Sequence, residues 1–91
     1  MQQIHIRAIA AKIMIELCDI VNSNFSFNNF NTFSLFDGQH IPRDNIVKAS
    51  KYLIGHKYVN SNEVASEHWS GSITIDGIDW VEDFLNIDHT L

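Results

Sequence analysis

Between Ile4 and Ile20 the chain carries apolar residues on both flanks of one narrow polar stripe, and no other pattern constrains its fold as strongly. On a helix of 3.6 residues per turn, His5, Lys12, Glu16 and Asp19 share the stripe. Ile6, Ile9, Ile13, Leu17 and Ile20 run along one flank, and Ile4, Ala8, Ala11, Ile15 and Cys18 along the other. A surface helix ordinarily buries an apolar face a little over about 100° wide; here the polar face is the narrow one. A helix over about residues 3–21 must therefore be covered on two sides. The chain has 91 residues, so its core is thin. One cover is the domain's own core; the other is more of that core or a second subunit, and a homodimer through this helix is the expectation.

The same stretch excludes two alternatives. Arg7, Lys12, Glu16 and Asp19 interrupt it, so it lacks the about 7–15 uninterrupted apolar residues of a secretory signal and the about 20 of a membrane span. One cysteine, Cys18, leaves no intrachain disulfide and suits a reducing compartment. A cytoplasmic protein with no membrane contact is expected. The net charge of −5 gives the whole molecule no attraction for nucleic acid or anionic lipid. The charge is divided, however. Residues 1–57 hold six basic and four acidic side chains, a balance of +2, whereas residues 58–91 hold seven acidic and none basic, a balance of −7.

Residues 22–36 read NSNFSFNNFNTFSLF. Asn and Ser favour caps and turns over helix interiors, while Phe25, Phe27, Phe30, Phe33 and Phe36 supply core mass. The spacing of Phe30, Phe33 and Phe36 predicts a short second helix near 26–36 with these rings on one side. A platform for stacking single-stranded bases would need basic companions, and none stands between Lys12 and Arg43. The rings are read as core.

Asp37-Gly38 marks a turn and Pro42 opens a third helix over about 42–55. Ile46, Ala49, Ser50, Leu53 and Ile54 line its inner side, Asp44, Asn45, Lys48, Lys51 and Tyr52 its outer side, and Gly55 is its expected terminator. Four of the six basic residues fall between positions 43 and 57. Beyond them, Lys57–Asn60 and Ser72–Ile75 read as two strands of a hairpin whose tip lies within 61–70. Thr74 is the N-cap candidate of a last helix over about 75–87, with Asp76 and Asp79 at the positive end of its dipole. Ile78, Val81 and Leu85, with Trp80 and Phe84 beside them, form its expected buried side.

The helix NIVKASKYLIG, the strand KYV, a hairpin and then ITIDGIDWVEDFL resemble the second half of a winged helix. The ITIDGIDWVE stretch is similar to the ending of many small bacterial and phage winged helix-turn-helix proteins, those of the YjcQ type among them. The resemblance spans about residues 42–87 and implies one mainly α domain over residues 1–91, ordered α-α-α-β-β-α, with a small β-hairpin as wing.

That fold implies a non-enzymatic DNA-binding or transcription-regulatory protein, dimeric through the first helix, with the last helix as a further candidate contact. In DNA-binding winged helices the helix before the wing enters the major groove, which here assigns Arg43, Asn45, Lys48, Lys51 and Tyr52 to duplex DNA. The wing suits DNA less well: residues 59–72 contain Glu63 and Glu67 and no Lys or Arg, leaving His68 and Trp69 to meet a backbone or a protein partner, with packing of Trp69 on the hairpin an equal alternative. A second reading therefore stays open, in which the winged helix docks a protein partner. Asp79, Glu82 and Asp83 would then present an acidic face to a basic or nucleic-acid-binding protein, as a phage-encoded inhibitor or accessory factor does. No catalytic set is found. Cys18 sits among apolar residues, the five histidines are scattered without ligand spacing, and the four glycines form no phosphate-binding loop. No cofactor, metal or small-molecule substrate is expected.

Overall fold

In the computed structural model, which describes residues 5–62 and 67–84, the first helix α1 (Ile6–Ile20) buries Ile9, Ala10, Ala11, Ile13, Met14 and Leu17. It packs on two other helices, α2 (Arg43–Gly55) and α3 (Ile75–Phe84). The domain itself thus covers most of the first flank, leaving Ile20 at its end 44% exposed, and only part of the second. Of the second flank, Ala11 is buried and Cys18 half-buried, while Ala8 and Ile15 (42% exposed) face outward; Ile4 lies outside the described residues.

The expected second helix does not form. Ser26–Phe30 is instead a strand, β1, and Ser34–Phe36 a single 3₁₀ turn. The reason lies in the asparagines. The side-chain oxygen of Asn22 accepts from the N–H groups of Asn24 (2.8 Å) and Ser26 (3.1 Å), closing a turn that delivers the chain into β1. Within β1, Phe27 is opposite Gly71 and Phe30 opposite Trp69, so one side carries an extra residue. Asn29 takes up this bulge in the left-handed region at φ 54°. Its N–H donates to the Ser70 hydroxyl (3.2 Å), which donates to the Asn28 side-chain oxygen (2.6 Å). A regular strand would send Phe27 and Phe30 to opposite faces. The bulge returns both to Trp69, at ring-centroid distances of 5.3 and 6.4 Å. The three-residue spacing that suggests a helix is therefore the signature of a bulged strand. Asn31 then accepts the Ser34 N–H (3.1 Å) and starts the 3₁₀ turn.

Two further strands, β2 (Val59–Asn60) and β3 (Trp69–Ile73), pair as a hairpin with Val59 opposite Ile73, β3 starting at Trp69 rather than the expected Ser72 and stopping before Ile75, which belongs to α3. Strand β1 pairs on the other side of β3, giving an antiparallel sheet ordered β1-β3-β2. The described residues thus form a small mixed α/β domain of three α-helices and a three-stranded sheet, with β1 and the 3₁₀ turn in place of a regular second helix. Its core runs from α1 through Ile46, Ala49 and Leu53 of α2 to Val59, Trp69, Ile73 and Val81.

Two junctions set the positions of α2 and α3. Gly55 is the last residue of α2, and His56 and Lys57 end it. The N–H of Lys57 donates to the Ile54 carbonyl (3.0 Å) and that of Tyr58 to the Leu53 carbonyl (2.9 Å). This is a Schellman termination, with Lys57 at φ 62° where glycine is usual. Thr74 caps α3 as expected, its hydroxyl accepting the Gly77 N–H at 3.0 Å and donating to the Lys57 carbonyl at 2.9 Å. The buried side of α3 differs from the expectation: Gly77 and Val81 are buried, Ile78 and Trp80 half-buried, and Phe84 is 37% exposed. Leu85 lies outside the described residues.

Candidate functional site

Ile46, Ala49, Ser50 and Leu53 anchor α2 in the core. The Ser50 hydroxyl is satisfied by the Ile46 carbonyl at 3.0 Å. That anchoring turns Asp44, Lys48 and Lys51 fully outward. Lys48 and Lys51 lie almost one helical turn apart and enter no ion pair among the described residues.

The other three residues assigned to this face are engaged within the domain or half-buried. Arg43 lies over the Phe33 ring (4.5 Å from its centroid) and reaches Glu67 at 4.0 Å. Both side chains of that pair are well exposed, so it contributes little stability. It does bring the start of α2 beside the β2–β3 connection and sets one cation against one wing carboxylate. Asn45 is half-buried. Tyr52 leans toward α3, with ring centroids 4.4 Å from His56 and 5.8 Å from Trp80.

On the wing, His68 is exposed but Trp69 is not. The assignment of Trp69 to a contact surface is corrected: it is 0% exposed and is the central core residue of the sheet. Its indole N–H donates to the Ser61 hydroxyl (2.9 Å), which donates to the Ser70 carbonyl (2.9 Å). An indole beside a serine-rich hairpin can bury itself because the N–H finds a local acceptor. Glu63 lies outside the described residues.

On α3, Asp79 and Asp83 are exposed, and Asp76 joins them on the same arc. Glu82 is half-buried toward α1. Burial of the Cys18 thiol, assisted by the charge of Glu82, raises its pKa above the ordinary thiol value and keeps it protonated and unreactive at neutral pH.

Sequence reasoning missed a row of rings. Tyr58 stacks between His56 (5.3 Å, 16°) and Trp80 (5.1 Å, 22°), Tyr52 touches both of those outer rings, and Phe84 continues the row from Trp80 at 5.5 Å. The four-residue spacings Tyr52/His56 and Trp80/Phe84 are its signal in the sequence. Their convergence depends on the Schellman turn that sets Tyr58 between them.

A pocket of about 170 Å³ opens among Phe33, Phe36, Gly38, Gln39 and Arg43. It is smaller than the about 300–1,000 Å³ of typical small-molecule sites. Among the described residues no three of His, Cys, Asp or Glu cluster as metal ligands do, and no helix is long and apolar enough to cross a membrane. Comparison with protein-family models, curated proteins and solved structures returns no match to this chain.

Proposed function

We propose that this chain is a small, non-enzymatic winged-helix protein that binds duplex DNA through α2, in a cytoplasmic setting that suits its lone Cys18. The observation that carries the reading is the pair Lys48 and Lys51, outward and un-ion-paired among the described residues on the middle of α2. The fold supports it: α2 directly precedes the β2–β3 hairpin, as the groove-entering helix of a winged helix does, and β1 adds to β3. The two lysines act first as phosphate ligands, with Asn45 at the edge of the helix toward the bases. The acidic arc of α3 supplies no affinity for the duplex.

Neutralising two phosphates gives a slope of roughly −1.8 in log affinity against log salt. Affinity should therefore fall on the order of tenfold between about 50 and 200 mM salt from these residues alone. Fluorescence anisotropy with random duplex checks this beside Lys48→Glu/Lys51→Glu, which should lose binding and salt dependence together. Binding that survives in the variant refutes the assignment of α2.

The exposed arc Asp76, Asp79, Asp83 favours the second reading, a winged-helix module that docks a basic protein. That reading takes over if the wild-type chain fails to bind duplex at the lower salt and Asp79→Asn/Asp83→Asn abolishes capture of a basic partner.

A further inference from the structure

The ring row Tyr52, His56, Tyr58, Trp80 and Phe84 has no part in DNA binding as described, yet it runs along the surface between α2 and α3. His56 and Phe84 are exposed and the three rings between them half-buried. Such rings hold two helices together without needing an open edge to water. Rows of Tyr and Trp left partly open are characteristic of the centres of protein interfaces.

The borders of the row have opposite net charge: at the α3 end the Arg7 guanidinium lies over the Phe84 ring, 5.4 Å from its centroid, but three aspartates outnumber it. Lys48 precedes Tyr52 by one turn of α2 and Lys51 adjoins it, both exposed. Asp76 precedes Trp80 by one turn of α3, and Asp79 and Asp83 flank it, all three exposed. None of these five charges enters an ion pair among the described residues. Asp76, Asp79 and Asp83 stand three or four residues apart, so they repel one another as well. A wholly basic partner would meet the lysine border unfavourably, and a wholly acidic one the aspartate border. A surface with one border of each sign is complementary to itself when rotated by a two-fold axis.

We propose that the ring row is the contact between two copies of this chain, related by a two-fold axis, with the lysine border of each facing the aspartate border of the other. Lys48 and Lys51 serve the partner's carboxylates or duplex phosphates but not both at once, so the dimer is the form free of DNA. The interface is isologous: rings meet rings at the axis, and each copy relieves the carboxylate repulsion on its partner's α3. This places the dimer contact on α2 and α3 rather than on α1, where Ile15 and Ile20 are left open.

Sedimentation velocity on the full chain, from micromolar to millimolar concentration at low and high salt, tests the proposal. A monomer–dimer equilibrium that weakens with salt is expected. Lys48→Asp/Lys51→Asp sets aspartate against aspartate across the axis, and Asp79→Lys/Asp83→Lys sets lysine against lysine. Each variant should weaken the dimer by about a hundredfold or more, with far-UV circular dichroism showing an intact fold. Mixing the two variants restores both borders and should regenerate a one-to-one dimer. Trp80→Ala should leave the chain monomeric in either background. A wild-type chain monomeric throughout, a dimer indifferent to the charge reversals, or variants that do not pair when mixed would each overturn the proposal.

Discussion

Gly77→Ala sets two well-known magnitudes against each other at one atom. Glycine within a helix is less favourable than alanine by about 0.8–1.0 kcal/mol, so propensity alone makes the substitution stabilising. The packing opposes it. A Cβ at position 77 would stand 2.6 Å from the Tyr58 carbonyl oxygen, 2.7 Å from Met14 Cε and 3.0 Å from Tyr58 Cβ. The methionine end is flexible and yields readily. The Tyr58 carbonyl is backbone, held by the Thr74 N–H at 3.0 Å immediately before α3 begins. To make room, α3 must retreat from the end of α2, straining that bond and the Thr74 cap together. Overpacking of this kind costs about 1–3 kcal/mol, and a weakened hydrogen bond about 1 more. The balance is a net loss of about 1–3 kcal/mol, or roughly 4–8 °C of melting temperature per kcal/mol. Urea titration followed by circular dichroism measures it. Gly55→Ala is the control, because nothing lies within 4 Å of its Cβ position; it should gain about 0.4–1 kcal/mol. If Gly77→Ala matches or exceeds the wild-type stability, the close approach of α3 to Tyr58 is wrong.

Two other perturbations address single residues. Lys57 adopts a left-handed conformation in the Schellman turn, so Lys57→Gly should raise stability by about 0.5–1 kcal/mol, read as a higher thermal midpoint; a lower midpoint would show that the lysine side chain makes up for its strain. The Cys18 pKa is raised in the folded state, by burial first and Glu82 second, so the fold favours the protonated thiol. Stability should be unaffected below the ordinary thiol pKa of about 8.5 and decline as pH rises from there through the raised value. The decline should be absent in Cys18→Ala; if the variant follows the same alkaline curve, another group is responsible.

Elements whose pattern repeats over several turns were legible in the sequence. The inner residues of α2, the two-flanked burden of α1 and the Thr74 cap all follow from periodicity or from local hydrogen-bonding chemistry, and the β2–β3 pairing follows from turn signals around short apolar runs. The second helix was illegible for a physical reason. A three-residue spacing of phenylalanines has two solutions, a helical turn and a bulged strand. The choice was made by Asn29 in a left-handed conformation and by pairing with a strand some forty residues later. Trp69 shows the same limit: burying an indole depends on Ser61, eight residues away, supplying the acceptor. The ring row needed Tyr58 from a turn and Trp80 from another helix, neither of which periodicity within one element reveals. The outward lysines of α2 were readable because nothing but the helix's own repeat positions them.

The sheet's free margins carry a consequence for solubility. A three-stranded sheet has two unpaired edges, and such edges recruit other chains into runaway strand addition. Here β2 is only two residues long and offers little template. The other margin, β1, is broken after two regular pairs by the Asn28-Asn29 bulge, which turns its backbone away from any flat ladder. The asparagines that looked like an interruption in an aromatic core sequence thus act as a guard against fibril-like growth.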